Sequence, residues 1–330
     1  MACGMTCSVL GADNVELSDF GKNVIDCDLP AHEFATHPVT DTYVTEYGND
    51  FVYDRLSEDM QEVWNVTEHM CLEYLEGTMD IKKAVKVNSS LPERYGITYA
   101  VHSAELTREE MEELFVLFRN SNPQYYFLSY DGVFGADDSG SFMAYYVYPE
   151  FRDGDARAEA TEDVLSEADR MALIVADYES DIDKVTAIQK LICNKVSYNV
   201  GYVGSRNSEE FEKDEYTQSA YSVLRTDIDE HESVCAGYSL AFEMVSNRAG
   251  VQAISVTSDA HQWNKVRADG HWYNVDLAYA DRSEGVDYTF FMLSDSTYKK
   301  LGNAAAKRDH VVENFWHGLI PKCKTDLVWE

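Results

Sequence analysis

The segment from His261 to Asp276, HQWNKVRADGHWYNVD, restricts the fold more than any other part of this 330-residue chain. Asp269-Gly270 is a strong signal for a two-residue hairpin turn between two short strands. A turn of that length fixes which residues face each other, so His261 and Asp276 become diagonal neighbours with Cβ atoms roughly 7 Å apart. One hydrogen bond between imidazole and carboxylate can span that gap. The hairpin therefore supplies a base and a group that could orient it.

Side chains alternate between the two faces of this predicted hairpin. The face that carries the pair consists of His261, Trp263, Lys265, Arg267, Trp272, Asn274 and Asp276. Trp263, together with Trp272 and Tyr273, is assigned to the core or to a wall that touches substrate, and not to the chemistry. Asn264 points the other way and is predicted to be structural.

The candidate nucleophile is Cys235, in the segment Ser233–Tyr238 that opens a predicted helix. Unpaired backbone N–H groups and the dipole at a helix N-terminus stabilise a thiolate and lower the pKa of a cysteine there. The small residues Ala236 and Gly237 leave room for a substrate backbone. The backbone N–H of Cys235 is a natural donor to an oxyanion.

A second oxyanion donor would come from the preceding segment, where Gln218 and Tyr221 are the alternatives.

Taken singly, a cysteine is most often an inert core residue, a strand histidine is most often structural, and an aspartate after a strand is often a turn cap. Together the three residues have the types, the helix end and the strand register that a catalytic triad requires, and this combination favours a catalytic function.

The remaining elements are predicted from periodicity and capping signals. One helix begins after Ser57 and stops at Gly77, and a second follows the capping box Thr107-x-x-Glu110 and ends at Asn122-Pro123. Further helices are predicted around Leu165, Met171, Leu173, Ile174 and Val175, from about Asp181 to Val196, and near Ser219–Leu224. Strands are predicted at Met79–Val87, Tyr95–His102, Tyr125–Tyr130 and Phe142–Tyr148, the last two joined by an acidic loop.

The charged stretch from Pro149 to Asp163 predicts a domain boundary. The chain would then consist of an irregular leader at 1–50, a helix-and-strand domain at 51–155 and a catalytic domain at 156–330. The polar residues 201–215 are predicted to form a long loop.

The net charge of −32, from 27 basic and 59 acidic residues, makes nucleic acid an improbable partner because phosphates are repelled. The charge favours solubility and would attract a cationic substrate or wall polymer. No apolar run approaches the ~18 residues that a membrane span needs.

Seven cysteines are too few to form a disulfide scaffold in a chain of this length. Cys71 and Cys193 fall on predicted amphipathic helices, so both are expected to be buried thiols. Cys3 and Cys7 could form a disulfide, or Cys3 could be the lipidated residue of a processed lipoprotein. No cysteine or histidine spacing indicates zinc, and neither a metal nor a cofactor is predicted.

The motifs resemble the core of the transglutaminase-like superfamily, and most closely its bacterial, often secreted members. The similar segments are SVCAGYSLAFEMVSNRAGV, HQWNKVRADGHWYNVDLAYAD, YTQSAYSVL and YTFFMLS, within residues 160–315. A weaker similarity to the N-terminal regions of such proteins lies in YDRLSEDMQEVW and NPQYYFLSY.

The resemblance implies an α+β, papain-like fold in which a helix bearing cysteine packs on an antiparallel sheet bearing histidine and aspartate. It also implies Cys235 as nucleophile, His261 as base and Asp276 as the residue that orients the base. Gln262 stands where a small residue is common, and Leu277-Ala278-Tyr279 replaces the usual Thr-Trp pair. No counterpart of the calcium sites of animal transglutaminases is present in the sequence.

The expected chemistry is acyl transfer on a protein or peptide amide through a thioester. Hydrolysis, as in a peptidase or amidase, is favoured because water is the default acceptor. A protein-glutamine transglutaminase that uses an amine acceptor is the alternative. A non-catalytic surface interaction module is a third hypothesis. An extracellular or cell-surface location, with possible wall association, is expected, and the cytoplasm is the alternative.

Overall fold

The computed structural model describes residues 25–26, 46–77, 82–83, 95–101, 104–137, 140–201, 215–228, 231–283 and 285–328. The fold is α+β, as the sequence predicts. The helices are α1 (Glu58–Leu75), α2 (Arg108–Ser121), α3 (Gly154–Ile174), α4 (Asp181–Cys193), α5 (Tyr221–Leu224), α6 (Cys235–Arg248), α7 (Leu277–Ala280), α8 (Asp295–Tyr298) and α9 (Ala304–Asp309). The strands are β1 (Ile25–Asp26), β2 (Lys82–Lys83), β3 (Tyr95–Val101), β4 (Leu128–Asp137), β5 (Gly140–Val147), β6 (Val196–Tyr198), β7 (His231–Ser233), β8 (Ala253–Ser258), β9 (His261–Ala268), β10 (His271–Val275), β11 (Asp281–Arg282), β12 (Gly285–Val286) and β13 (Phe291–Leu293).

The N-terminal half contains a sheet in the order β1-β3-β5-β4, with β2 also paired to β3. The predicted caps are confirmed. Ser57 accepts from the N–H of Met60 at the start of α1, and Thr107 and Glu110 form the reciprocal capping box of α2. These caps satisfy backbone donors that a helix start leaves unpaired.

One strand prediction for this half needs correction. The strand predicted from Tyr125 begins only at Leu128, because the preceding residues turn away from α2 through backbone hydrogen bonds from Tyr125 to Asn122 and from Leu128 to Tyr125. The strand then continues to Asp137, across most of the predicted acidic loop. Of the strand predicted at Met79–Val87, only β2 lies within the described residues.

The charged stretch at the predicted domain boundary forms a 3-10 turn at Pro149–Phe151 and the first turns of α3, which is capped by Asp153. Leu173 and Ile174, predicted within a helix, lie in the last turn of α3 and are 76% and 47% exposed. Buried side chains from both halves belong to one continuous hydrophobic cluster. The division at residue 155 stays a prediction.

The C-terminal half is built on the sheet β13-β10-β9-β8, in which every pairing is antiparallel. The predicted hairpin is confirmed, with Ala268 paired to His271 across the turn. Asp269 and Gly270 both have positive φ, 47° and 84°, which is the conformation that this hairpin turn requires.

Helix α6 packs against this sheet and is buried on all sides from Cys235 to Ser246. It is therefore a central helix without a solvent face. On the sheet side, the amide of Asn264 donates to the carbonyls of Ser239 at 2.9 Å and Ile254 at 3.4 Å. This confirms the structural role predicted for Asn264, and it fixes α6 relative to the strand that carries His261.

The end of the predicted irregular leader contacts the C-terminal half. The Asn49 amide donates to Glu243 Oε1 at 2.6 Å, and the Tyr47 hydroxyl donates to Asp169 at 2.9 Å. Both Asn49 and Tyr47 are buried. The described residues 46–50 are thus part of the packed structure, and β1 is a strand within the same predicted leader. Among the described residues, no helix has the length and apolarity needed to cross a bilayer.

Candidate active site

The imidazole of His261 and the carboxylate of Asp276 are hydrogen-bonded, as the hairpin register predicts. His261 Nε2 lies 2.6 Å from Asp276 Oδ2, and the two residues are only 2% and 1% exposed. Asp276 also caps α7, because its Oδ1 accepts from the N–H of Tyr279 at 3.0 Å. The carboxylate is thereby held on both oxygens.

Asp276 carries a negative charge in a buried position. Burial alone would raise its pKa, but the charges and hydrogen bonds of His261 and His310 outweigh this effect and hold the pKa well below its ordinary value. The site therefore contains a permanently ionised acid beside an imidazole. An ionised acid in that position fixes the tautomer of a histidine base and stabilises its cation.

A second histidine, His310, contacts the same carboxylate oxygen. Its Nε2 lies 2.8 Å from Asp276 Oδ2, and its Nδ1 lies 2.7 Å from the carbonyl oxygen of Ala306. The rings of His261 and His310 are almost perpendicular, with centroids 5.3 Å apart. His310 is not predictable from the sequence, because nothing in its local pattern links it to a residue 34 positions earlier.

Cys235 is the first residue of α6 and is fully buried. The preceding residue, the N-cap Val234, makes no side-chain hydrogen bond to the helix. Cys235 therefore lies at the predicted helix start.

The surroundings of Cys235 overlap with those of His261. Ala278, in the helix that Asp276 caps, packs against the cluster of Val234, Cys235 and Ala236. Tyr279 meets the His261 ring edge-on with centroids 5.3 Å apart. Burial, the carboxylates of Asp309 and Asp276, and the charge of Cys235 all raise the pKa of Tyr279. The thiol and the imidazole thus share Tyr279 as a neighbour.

Gly237 sets how closely the start of α6 approaches the segment before it. A Cβ on Gly237 would lie 2.1 Å from Ser233 Oγ and 2.6 Å from Ser222 Oγ. These two hydroxyls are hydrogen-bonded to each other at 2.7 Å. Only glycine therefore fits here, and the close approach fixes the position of the first turn that carries Cys235.

The predicted accessory residues lie in different surroundings. Gln218 follows Thr217, whose carbonyl accepts from the N–H of Val234 at 3.2 Å, so Gln218 is next to the start of α6. Tyr221 packs instead against the rings of Tyr126 and Phe151. The oxyanion role of either residue stays a prediction.

Trp263 is 1% exposed, which makes it a core residue and leaves it little surface for substrate. Its ring is nearly parallel to that of His261, with centroids 6.2 Å apart. Its Nε1 donates to Asn274 Oδ1 at 3.1 Å, which confirms that these two residues share a face of the hairpin.

The N-terminal half contributes Tyr130 to the site. This residue packs against the cluster that contains Cys235, and its hydroxyl donates to the side-chain oxygen of Gln262. The amide of Gln262 in turn donates to Ser255 Oγ at 2.8 Å. Gln262, which differs from the superfamily pattern, thus bridges the strand beside His261 to the other half of the chain.

The nitrogens of His261 and His310 and the carboxylate of Asp276 are potential metal ligands, all within 4.8 Å of one another. Their N···O separations of 2.6 and 2.8 Å are, however, hydrogen-bond distances. Ligand atoms on a tetrahedral zinc ion with bonds of about 2.0–2.1 Å lie about 3.3 Å apart. The arrangement therefore fits shared protons better than a shared metal ion.

A groove of about 690 Å³ lies beside these residues, and its lining includes Ala260 and Asp309. The acidic residues of its lining are Glu109, Glu112, Glu113, Asp259, Asp309 and Glu313, with Arg308 as the basic one. Burial and the neighbouring carboxylates of Asp259 and Glu112 raise the pKa of Glu313. The groove is thus a region of negative potential next to the buried pair.

The fold and the site together define an α+β protein in which a helix bearing cysteine packs on an antiparallel sheet bearing a buried His–Asp pair. Comparison with curated proteins finds kyphoscoliosis peptidase of Mus musculus, 27% identical over 183 residues, covering 49% of this chain and 24% of the relative. The Homo sapiens protein of that name is 24% identical over 181 residues, with the same coverage. The chain thus spans about a quarter of the length of these relatives.

Among solved structures, one described as a TGase aligns with 57% of this chain and 52% of its own, at 13% identity and a TM-score of 0.30. No model of a known family matches the chain. The chain is thus similar in sequence, over about half of its length, to proteins named kyphoscoliosis peptidase.

Proposed function

We propose that this protein is a cysteine-dependent acyl-transfer enzyme that hydrolyses amides of proteins or peptides. Cys235 would be the nucleophile, His261 the general base and acid, and Asp276 the residue that holds the base. The observation that carries the proposal is the buried 2.6 Å hydrogen bond between His261 Nε2 and Asp276 Oδ2, with Tyr279 as a neighbour of both the imidazole and Cys235. Because this bond uses Nε2, the ring nitrogen that would exchange a proton with the thiol is Nδ1.

In the first step the sulfur of Cys235 attacks the carbonyl carbon, and the backbone N–H of Cys235 with the Gln218 side chain would stabilise the oxyanion. The C–N bond then breaks, and the proton on His261 passes to the leaving amine. Water next attacks the thioester and returns a proton to His261, which releases the acid and the thiolate. Asp276 stays ionised throughout and stabilises the imidazolium.

Transamidation is the second candidate because the acidic groove would attract a basic residue, either in the acyl donor or as an amine acceptor. A single-turnover assay with an arginine- and glutamine-containing peptide donor that lacks lysine, with and without added primary amine, separates the two outcomes. We expect release of the free acid at a rate that does not depend on the amine, with no conjugate by mass spectrometry. An amine-dependent conjugate as the main product would establish transamidation.

The catalytic assignment itself is tested by iodoacetamide labelling as a function of pH, with the modified residue identified by peptide mass spectrometry. Cys235 should react well below the ordinary cysteine pKa of about 8.5. Burial raises the pKa of Cys71, Cys193 and Cys323, which serve as internal controls. Because Cys235 is itself fully buried, faster labelling of Cys235 than of these thiols would report its ionisation and not a greater exposure. If Cys235 labels no faster than they do, the proposed reactive thiolate is contradicted.

A histidine variant provides the matched control. His261→Ala should slow the labelling of Cys235 at neutral pH, because the imidazolium that stabilises the thiolate is lost. His271→Ala removes an exposed histidine from the same hairpin and should leave the labelling rate unchanged. Equal rates in both variants would remove His261 from the proposed mechanism.

A further inference from the structure

Both ring nitrogens of His310 lie against hydrogen-bond acceptors. Nδ1 is 2.7 Å from the carbonyl oxygen of Ala306, and a carbonyl oxygen can only accept. Nε2 is 2.8 Å from Asp276 Oδ2. A neutral imidazole has one N–H and one lone pair, so it could satisfy only one of these contacts and would direct its lone pair at the other oxygen.

The alternative is that Asp276 carries the proton and donates it to a neutral His310. The environment of the carboxylate argues against this. Its Oδ2 also faces Nε2 of His261 at 2.6 Å, and its Oδ1 accepts a backbone N–H. A carboxylate that receives several donors is stabilised in its ionised form, in agreement with the lowered pKa of Asp276. The proton therefore belongs on His310.

The cavity that holds this ring suits a cation. The aromatic rings around His310 are those of Trp263, Tyr279, Phe290 and Tyr298, with centroids 4.5 to 5.3 Å away. Electron-rich ring faces attract a positive charge. His310 is 2% exposed, so water does not solvate the charge.

The titratable groups that face His310 come from each element packed against it. They are His261 on β9, Asp276 at the end of β10, Tyr279 on α7 and Tyr298 on α8. Asp309, its neighbour on α9, accepts from the Tyr279 hydroxyl at 2.6 Å. Among these groups, Asp276 is the carboxylate in direct contact with the ring.

We propose that His310 is a positioning residue of the active site: an imidazolium that neutralises the charge of Asp276 while sharing its Oδ2 with His261. The inference rests on the proposed function of Cys235 and His261. With His310 charged, the positive charge of His310 balances the negative charge of Asp276. The buried site then has no net charge when Cys235 and His261 are both neutral. It also has none when they form a thiolate–imidazolium pair. Without the charge of His310, both states would carry one uncompensated negative charge in a region of low dielectric.

The sign of the expected effect follows from electrostatics. Removing a nearby positive charge disfavours the thiolate of Cys235 and favours the cation of His261, so the pKa of each group should rise. His310→Gln retains an N–H donor for Asp276 but carries no charge. The pH midpoint of Cys235 alkylation, and the acidic limb of the kcat/KM profile, should move upward by about one unit in this variant.

His310→Phe lacks both the charge and the N–H donor of His310, whereas His310→Gln lacks only the charge. Comparing the two variants therefore separates the effect of the charge from that of the hydrogen bond. If the charge is what matters, the pH midpoints of His310→Gln and His310→Phe should both shift upward. If His310→Gln keeps the wild-type midpoint while His310→Phe does not, the hydrogen bond alone positions Asp276 and the proposal is overturned. Wild-type midpoints in both variants would also overturn it.

A measurement on the wild-type protein covers the case in which the variants do not fold. The 15N chemical shifts of the His310 ring at neutral pH should report two protonated nitrogens, and one protonated and one bare nitrogen would overturn the proposal. This result does not depend on catalysis. If Cys235 proves unreactive in the wild type, the proposed function fails while the ring measurement still decides the charge of His310.

Discussion

At the scale of single residues, the sequence predicts a contact where a rigid local element determines it. The hairpin turn at Asp269-Gly270 fixes the register, and the register brings His261 and Asp276 to hydrogen-bond distance. His310 could not be predicted in this way. It reaches Asp276 from a segment 34 residues further along the chain, whose path depends on packing against other elements. The pair was therefore predictable and its third partner was not.

The first prediction concerns the shared carboxylate. Asp276→Asn preserves size and the cap on Tyr279, but it places an amide where Oδ2 accepts from His261 and His310. The orientation and tautomer of His261 should be lost, and kcat/KM should fall by about 10³-fold or more. Thermal stability should fall as well, because the buried charge of His310 loses its partner. Asp269→Asn, a matched change in the turn of the same hairpin, should have no effect on turnover. Wild-type activity in Asp276→Asn would contradict the assigned role.

At the scale of elements, helix starts marked by a capping side chain were predictable and strand ends were not. The end of α4, predicted at about Val196, lies at Cys193, and Val196 begins β6. The caps of α1 and α2 are contacts within one helical turn. Ser57 and the capping box Thr107-x-x-Glu110 therefore predict them from the local sequence. The limits of β4 depend on its partner β5, 8 residues long, and on the turn after α2. Strand pairing joins residues that are distant in the sequence, so the periodicity within one strand does not predict where the strand ends.

The second prediction concerns the start of α6. Replacing glycine by alanine inside a helix usually stabilises a protein by about 1 kcal/mol. Gly237→Ala should do the opposite and cost about 1–3 kcal/mol, because its Cβ would overlap the Ser233 hydroxyl. The displaced helix start should also slow the alkylation of Cys235.

Gly154→Ala is the control for this change, since at the start of α3 the nearest atom to the new Cβ is Arg157 Nη2, 3.9 Å away. It should be neutral or stabilising in urea unfolding. A Gly237→Ala protein that matches the control in stability and labelling would show that the close approach is unimportant.

At the scale of the whole molecule, one buried acid makes stability depend on pH. Glu243 is fully buried in the middle of α6, and burial raises its pKa well above the ordinary value despite the hydrogen bond from Asn49. In the unfolded chain this group ionises near pH 4.3. The folded protein retains the proton, so the stabilisation is complete below that pH and is lost as pH rises towards the folded-state pKa.

The third prediction follows from this loss of stability as pH rises. Glu243→Gln removes the titration, so the variant should gain stability relative to the wild type as pH rises above about 4.5 and show little difference at pH 4. Urea unfolding at several pH values measures the difference. Glu159→Gln, on the exposed side of α3, should give a curve parallel to the wild type. A parallel curve for Glu243→Gln would contradict the buried, protonated state.

The hydrogen bond between Asn49 and Glu243 joins residues 194 positions apart and lies along α6, well beyond the turn that carries Cys235. Residues 46–49 therefore cover the Glu243 carboxyl group and keep water from it. A proteolytic nick that releases them would remove the hydrogen bonds that Asn49, Tyr47 and Gly48 make with α6, and would shorten the lifetime of the folded protein while leaving every reactive group chemically intact. Trimming at the amino end would thus be a means of inactivation.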